Sequence, residues 1–168
     1  MMEGLLDVWE FTRVRLKQAH EDLTHAQGMW RPFKGANTII EMMYHMAGAE
    51  HWFGCRILGI NPEQSEFERK LDMSVRAQFL TGDIFPFTGD ELTLEKARNA
   101  LDFSEIRARK VLSSATPEQL AIKIESPMGP IVDGKGGLLR IAQHSGYHTG
   151  QIWTYRQMPD FLTPSRGG

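Results

Sequence analysis

Apolar residues recur every three or four positions in four long stretches of the chain, the spacing that gives an α-helix one buried side. The pattern predicts helices over residues 2–25, 38–58, 94–114 and 137–158. The first stretch shows it most fully, at Leu5, Val8, Trp9, Thr12, Leu16, Ala19 and Leu23. Four long helices without a convincing sheet predict an all-α four-helix bundle that forms one domain over residues 1–168.

Residues with strong preferences for helix ends mark the limits of the second and third stretches. Asn37 or Thr38 is the expected N-cap of the second helix, and Glu41 is placed to complete a capping box. Gly59 follows the last position of that helix, where glycine favours termination. Thr93 is the expected cap of the third helix.

Two connections carry structural signals of their own. Residues 61–92 form a long link with a predicted short helix over residues 65–79, followed by an aromatic segment. A link of this length often covers a functional site as a lid, although packing of its own aromatics against the helices explains it equally well. Residues 120–136 alternate briefly at Ile122 and Ile124, which predicts a short hairpin or an ordered loop.

Composition limits the classes of protein to which the chain can belong. A length of 168 residues suits one domain with a core that needs no disulfide. The net charge of −2 offers no concentrated basic surface for a nucleic acid. The single cysteine, Cys55, excludes an intrachain disulfide and fits a reducing compartment. No apolar run approaches the roughly 20 residues that span a bilayer, so we expect a cytoplasmic protein that binds neither nucleic acid nor membrane.

Three histidines form a candidate metal site. His144 and His148 are four residues apart, which places their rings about 40° apart around the helix and about 6 Å apart along it. Ser145 stands where the His-Glu-x-x-His metalloprotease motif requires glutamate, so that class is excluded. His45 lies in the middle of the second helix and supplies a third nitrogen. Three imidazoles leave coordination positions open for water or substrate, as a catalytic metal site requires.

Two polar residues close to these histidines are candidate catalytic groups. Glu41 lies one turn before His45, where it can accept a ring N–H or act as a base, or simply cap the helix. Gln151 lies three residues after His148, where it can orient a bound water or ligand, or stabilise helix packing. The sequence leaves these alternatives open.

Residues 40–52, which contain His45, resemble the second helix of the DinB/YfiT-like proteins, the DinB superfamily. Residues 144–152, His-Ser-Gly-Tyr-His-Thr-Gly-Gln-Ile, are similar to the last helix of that family, and residues 30–32, Trp-Arg-Pro, are also typical of it. The resemblance implies a four-helix bundle in an up-down-down-up order that is often dimeric. It also implies a divalent transition metal, nickel or zinc among others, bound by His45, His144 and His148. The family often carries arginine after its last ligand, where this chain has Thr149.

The chemistry of such a site and the resemblance lead to the same set of functions. A metal on three imidazoles lowers the pKa of a bound water from 15.7 towards about 7, and it can equally stabilise a thiolate. The resemblance implies thiol-dependent transferases or isomerases, and metal-dependent hydrolases. We therefore expect a metal-dependent enzyme for a small-molecule substrate, a homodimer, in which a low-molecular-weight thiol is one candidate cofactor. The alternative is a non-catalytic, stress-associated bundle that binds a metal or ligand.

Overall fold

The computed structural model describes residues 3–77, 84–127 and 129–161, and these residues are mostly helical. The α-helices in the described residues are α1 Glu3–His20, α2 His25–Gly28, α3 Ile39–Leu58, α4 Glu66–Ser74, α5 Leu94–Ser114, α6 Pro117–Ala121 and α7 Gly134–Arg156. A 3₁₀ turn covers Gly89–Glu91, and two short strands, β1 Lys123–Ile124 and β2 Val132–Asp133, pair antiparallel. No helix in this part of the chain is long and apolar enough to cross a membrane.

The second and third predicted helices are confirmed with their caps. Thr38 Oγ accepts from the backbone N–H of Glu41 at 3.1 Å, and the Glu41 carboxylate accepts from the N–H of Thr38 at 2.7 Å. This capping box starts α3 and identifies Thr38, not Asn37, as the cap. Gly59 ends α3 in the left-handed conformation, at φ +67°. The hydroxyl of Thr93 accepts from the N–H of Lys96 at 3.2 Å and starts α5.

The limits of three other predicted helices are corrected by the structure. The first helix was expected to reach residue 25 but ends at His20, because Thr24 adopts an extended backbone and caps the separate helix α2. The fourth begins at Gly134, before the expected residue 137, because the Asp133 side chain accepts from the N–H of Gly136 at 2.7 Å. It ends at Arg156 instead of residue 158. The helix expected over residues 65–79 is shorter, Glu66–Ser74.

The predicted hairpin before the last helix is present, and a short helix precedes it. Lys123 pairs with Asp133, and Ile124 with Val132. The sequence analysis missed α6, which a capping box of Thr116 and Gln119 starts, with proline at the first helical position. A Cβ on Gly134 would lie 2.1 Å from the Gln119 carbonyl oxygen, so only glycine allows α6 to pack against the start of α7.

Helix α3 lies at the centre of the packed helices. It packs against α4, α5 and α7, while α1 packs against α5 and α7. Every residue from Ile39 to Cys55 is buried, as expected for a helix that is covered on all sides. Polar side chains on α3, including His45 and Glu50, are therefore buried as well and need partners.

The buried carboxylate of Glu50 links α3 to the other three long helices. It accepts hydrogen bonds from Trp9 Nε1 on α1 at 2.9 Å, from Ser104 Oγ on α5 at 2.7 Å, and from Ser145 Oγ on α7 at 3.1 Å. A buried charge of this kind is tolerated only with such partners. Because Ser145 follows His144 in the chain, this network also fixes the position of the α7 histidines relative to α3.

The long connection between α3 and α5 is only partly described. Phe87 in this connection stacks on Tyr44 of α3, with ring centroids 3.9 Å apart. This contact agrees with the interpretation in which aromatic residues of the connection pack against the helices. Residues 78–83 of the expected lid lie outside the described residues.

Candidate metal centre

Helices α3 and α7 bring His45, His144 and His148 together. One ligand atom from each residue lies within 4.8 Å of the other two. The Nε2 atom of His144 lies 3.1 Å from Nε2 of His45 and 3.1 Å from Nε2 of His148. The three residues that the sequence selected therefore point their Nε2 atoms at a common centre.

The ring of His45 is oriented by the end of α4. Its Nδ1 atom lies 3.0 Å from the carbonyl oxygen of Ser74. A carbonyl only accepts, so Nδ1 carries the proton and Nε2 presents its lone pair. Ser74 is itself held by its hydroxyl, which donates to the Leu71 carbonyl at 2.7 Å. Gly48 makes this approach possible, because a Cβ there would lie 2.3 Å from Ser74 Oγ.

The ring of His148 is oriented by Gln151. The carboxamide oxygen of Gln151 lies 2.6 Å from Nδ1 of His148, which gives this ring the same tautomer as His45. The amide nitrogen of Gln151 donates to the hydroxyl of Tyr147 at 3.4 Å. The sequence left open whether Gln151 orients a water or ligand or stabilises helix packing; in the structure its carboxamide contacts a histidine of the cluster.

His144 is the third residue of the cluster, and no described residue outside the cluster orients its ring through a hydrogen bond. Its Nδ1 atom is buried and has no hydrogen-bond partner among the described residues. Its Nε2 atom can donate a proton to only one of the two lone pairs that face it, on His45 and His148. A single cation at the centre would satisfy all three Nε2 atoms at once, so the donor set fits a metal ion.

The separation of the nitrogens also fits a metal. Bonds of about 2.0–2.1 Å from an ion to each imidazole place two ligating nitrogens about 3.3 Å apart in tetrahedral geometry and about 2.9 Å apart in octahedral geometry. The two separations of 3.1 Å lie between these values. These two separations are therefore compatible with a first-row divalent ion, and the ligand atoms of His45 and His148 lie within 4.8 Å of each other.

Burial keeps the three imidazoles neutral, the form that binds metals. It lowers the pKa of His148 to about 3, with a further contribution from His45. Burial also lowers the pKa of His144 well below its usual value, helped by the neighbouring titratable rings of His148 and His45 and by the charge of Arg140. The pKa of His45 is lowered by burial as well, although the Ser74 carbonyl opposes the shift.

A pocket of about 310 Å³ opens beside the cluster and is lined by His144 and His148. Its volume suits a small molecule. The rest of its lining is part apolar and part polar, including Ala49, Phe53, Val75, Arg140 and Tyr147. A larger cleft of about 570 Å³ lies between α1 and α5, but none of the three histidines lines it. Of these two cavities in the described residues, the smaller one therefore adjoins the cluster.

Glu41 makes contacts at the start of α3. One carboxylate oxygen accepts from Arg31 at 2.7 Å and the other accepts from the backbone N–H of Thr38. Glu41 therefore makes the contacts expected of a residue that caps the helix. The ring of His45 has its Nδ1 partner in Ser74 instead.

Two further buried residues with potentially reactive side chains, His51 and Cys55, have structural environments. His51 is buried, with Nε2 2.8 Å from the Pro62 carbonyl, as expected for a structural histidine. Burial raises the pKa of the Cys55 thiol to about 11, which makes it a poor nucleophile. Sequence reasoning missed Ser74 and Arg140. Arg140 could have been found as the residue one turn before His144, whereas a backbone acceptor such as Ser74 leaves no sequence signal.

Comparison with known families identifies the family of the chain. A family model described as the DinB superfamily matches residues 9–152, which include all three histidines. A search of curated proteins finds no match to the chain.

Proposed function

Since the chain belongs to the DinB superfamily, we propose that it is a metal-dependent enzyme whose divalent ion is held by His45, His144 and His148. The convergence of the three Nε2 atoms carries this proposal. Imidazole ligands suit zinc and nickel, and we propose one of these as the ion. Four long helices, α1, α3, α5 and α7, would form the up-down-down-up bundle of a single domain.

The bound ion would supply a Lewis acid that activates a water or the thiolate of a low-molecular-weight thiol. The protein's own groups do the rest. Ser74 and Gln151 hold His45 and His148 with their Nε2 lone pairs towards the centre. Gln151 is therefore a positioning residue. Glu41 stabilises the start of α3, and its direct part in the reaction stays a prediction.

The open pocket favours an enzyme over a closed structural metal site. His144 and His148 line it, so a ligand that enters can reach the proposed ion. The reaction is then either a thiol-dependent transfer or a hydrolysis of a small molecule, carried out by a cytoplasmic homodimer. A stress-associated bundle that binds metal without turnover is the alternative outcome of the test.

Elemental analysis of the untagged protein tests the metal site. We expect about one equivalent of nickel, zinc or a similar ion in the parent, and its loss in His45→Ala and in His144→Ala. His25→Ala is the matched control, because His25 is exposed. An absence of metal in the parent after reconstitution, or an equal content in all four proteins, would overturn the proposal.

A panel of thiol-transfer and ester-hydrolysis substrates then separates an enzyme from a binding protein. Turnover that His148→Ala abolishes supports the enzyme. One bound metal with no turnover across both panels supports the non-catalytic alternative.

A further inference from the structure

Arg140 shares a helix face and a pocket with two of the histidines. It lies one turn before His144 and two turns before His148 on α7, so the three side chains form one stripe. All three line the pocket of about 310 Å³. The guanidinium lies beneath the turn between β1 and β2, where a Cβ on Gly129 would be 3.5 Å from its Nη2 atom.

The guanidinium of Arg140 has no hydrogen bond or ion pair within the described parts of the chain, and its charge acts on the His144 ring. By contrast, two arginines on α3 and α5 are paired with carboxylates: Arg56 contacts Asp72 at 3.0 Å and Arg107 contacts Glu68 at 2.7 Å. Asp72 therefore already neutralises Arg56. Arg140 is thus the cation of this pocket that remains available to a ligand.

An unpaired guanidinium in a half-buried pocket is a receptor for an anion. It offers several N–H donors in a fixed plane that matches a carboxylate, and such charge-assisted hydrogen bonds are among the strongest. Ala49, Phe53 and Val75 line the same pocket as this cation and two histidines of the cluster, and they offer apolar contact to a ligand.

We infer that Arg140 binds the carboxylate of a small organic acid whose other end reaches the metal, with its carbon chain against the apolar wall. This inference rests on the proposed function, because it places the ligand's second end on the ion at His144 and His148. It narrows the substrate class from any small molecule to a small organic anion, and it makes Arg140 a specificity-determining residue.

Binding of two matched thiols to the cobalt-loaded protein tests the inference without an activity assay. The probes are 3-mercaptopropionate and 3-mercapto-1-propanol, which share a three-carbon chain and differ in charge. Thiolate coordination changes the visible absorption of Co²⁺, so each dissociation constant is read directly. We expect the parent to bind the carboxylate probe roughly 10- to 100-fold more tightly, as a charge-assisted hydrogen bond allows.

Variants test whether the Arg140 side chain causes the preference for the carboxylate probe. We expect Arg140→Gln to bind both probes equally, and Arg140→Lys to keep part of the preference because it keeps the charge. Lys135→Gln is the matched control, since it removes an exposed cation from the same helix and should keep the full preference. All four proteins should hold the same amount of cobalt.

The outcomes separate this inference from the proposed function. A parent that holds no cobalt overturns the proposed function and the inference with it. A parent that holds cobalt and responds to neither thiol overturns the inference and leaves the metal site standing. A parent that binds both thiols with equal affinity, or an Arg140→Gln variant with an undiminished preference, overturns the role of Arg140 and leaves the metal site standing.

Discussion

The Nδ1 atom of His45 lies 3.0 Å from the carbonyl oxygen of Ser74, the last residue of α4. The last carbonyls of a helix have no partner within the helix, so this one is free to accept from a neighbouring side chain. A helix end thereby orients a histidine of the proposed metal centre. The position of that ring depends on how closely α4 packs against α3.

Gly48→Ala should separate these two helices. The new Cβ would lie 2.3 Å from Ser74 Oγ and 2.5 Å from the backbone oxygen of Leu71, so α4 must move away. We expect the free energy of unfolding to fall by about 1–3 kcal/mol, as for other overpacked cores. We also expect metal affinity to fall roughly 10- to 100-fold because His45 loses its orienting acceptor. Urea unfolding of the metal-free protein and chelator competition measure the two effects.

Gly150→Ala is the control for this substitution. Gly150 lies in α7, and a Cβ added there would have no heavy atom of another element within 4 Å, so alanine adds no clash. The change should raise the free energy of unfolding by about 0.5–1 kcal/mol through helix propensity alone. A Gly48→Ala protein that gains stability in the same way would contradict the packing argument.

Gln151→Ala should weaken metal binding without unfolding the protein. It removes the acceptor that lies 2.6 Å from Nδ1 of His148 and lets the ring turn. We expect a roughly 10- to 100-fold loss of affinity in chelator competition. Gln151→Glu restores an acceptor and should restore binding. Equal affinities in the alanine variant and the parent would show that Gln151 does not position the ring.

The helices and the histidine cluster could be predicted because their signals are local. Thr38 and Glu41 lie three residues apart and fix the start of α3 by themselves. His144 and His148 are one turn apart, so their proximity follows from helix geometry alone. Their proximity to His45 could be predicted once the apolar pattern had identified the buried face of each of the two helices.

Other features of the fold and of the site depend on contacts between elements, which the sequence pattern does not encode. The apolar pattern continues from Ala19 to Leu23, both buried, although the backbone leaves the helix between them. The partner of His45 is a main-chain oxygen, which any residue at position 74 provides. The availability of Arg140 follows from where the carboxylates of other helices lie, and no spacing within α7 reveals that.

Glu41→Ala should act on stability and leave the metal in place. It removes the acceptor for the N–H of Thr38 and the partner of Arg31, so we expect the free energy of unfolding to fall by about 0.5–2 kcal/mol. The metal content should stay at the level of the parent. Loss of the metal in a folded Glu41→Ala protein would contradict this and support a contact between Glu41 and the centre.

The metal-free protein should lose stability below about pH 6.5. Burial, with the charge of Arg98 next, lowers the pKa of His20 from 6.5 to about 4 in the folded protein. Between these pH values the unfolded chain binds more protons than the folded one, so the free energy of unfolding falls as pH falls. Burial lowers the pKa of His148 to about 3, which extends the same trend to lower pH.

Urea unfolding of the metal-free protein at pH 7, 6, 5 and 4 measures this dependence. In His20→Gln the decline between about pH 6.5 and pH 4 should be shallower than in the parent, because one of the groups that takes up a proton on unfolding is gone. Identical slopes in the two proteins would show that His20 is not held neutral by its surroundings.

Glu50→Ala should be the most destabilising of these substitutions. It leaves Trp9 and Ser145 without their acceptor, leaves Ser104 only the Leu101 carbonyl at 3.0 Å, and removes the carboxylate that lies 3.7 Å from Arg13. Removal of one partner from a buried charged network typically costs about 3–5 kcal/mol. Urea unfolding should show a loss of this size.

Two further variants separate the buried network from a general effect of charge. Glu50→Gln keeps a carbonyl acceptor and should lose less stability than the alanine variant, while still binding metal. Glu66→Ala removes an exposed carboxylate that lies 3.7 Å from Lys70, and it should change the free energy of unfolding by less than about 1 kcal/mol. Suppose Glu50→Ala lowered the free energy of unfolding no more than Glu66→Ala. Apolar contacts alone would then hold α7 in register with α3, and the position of His144 relative to α3 would not depend on Glu50.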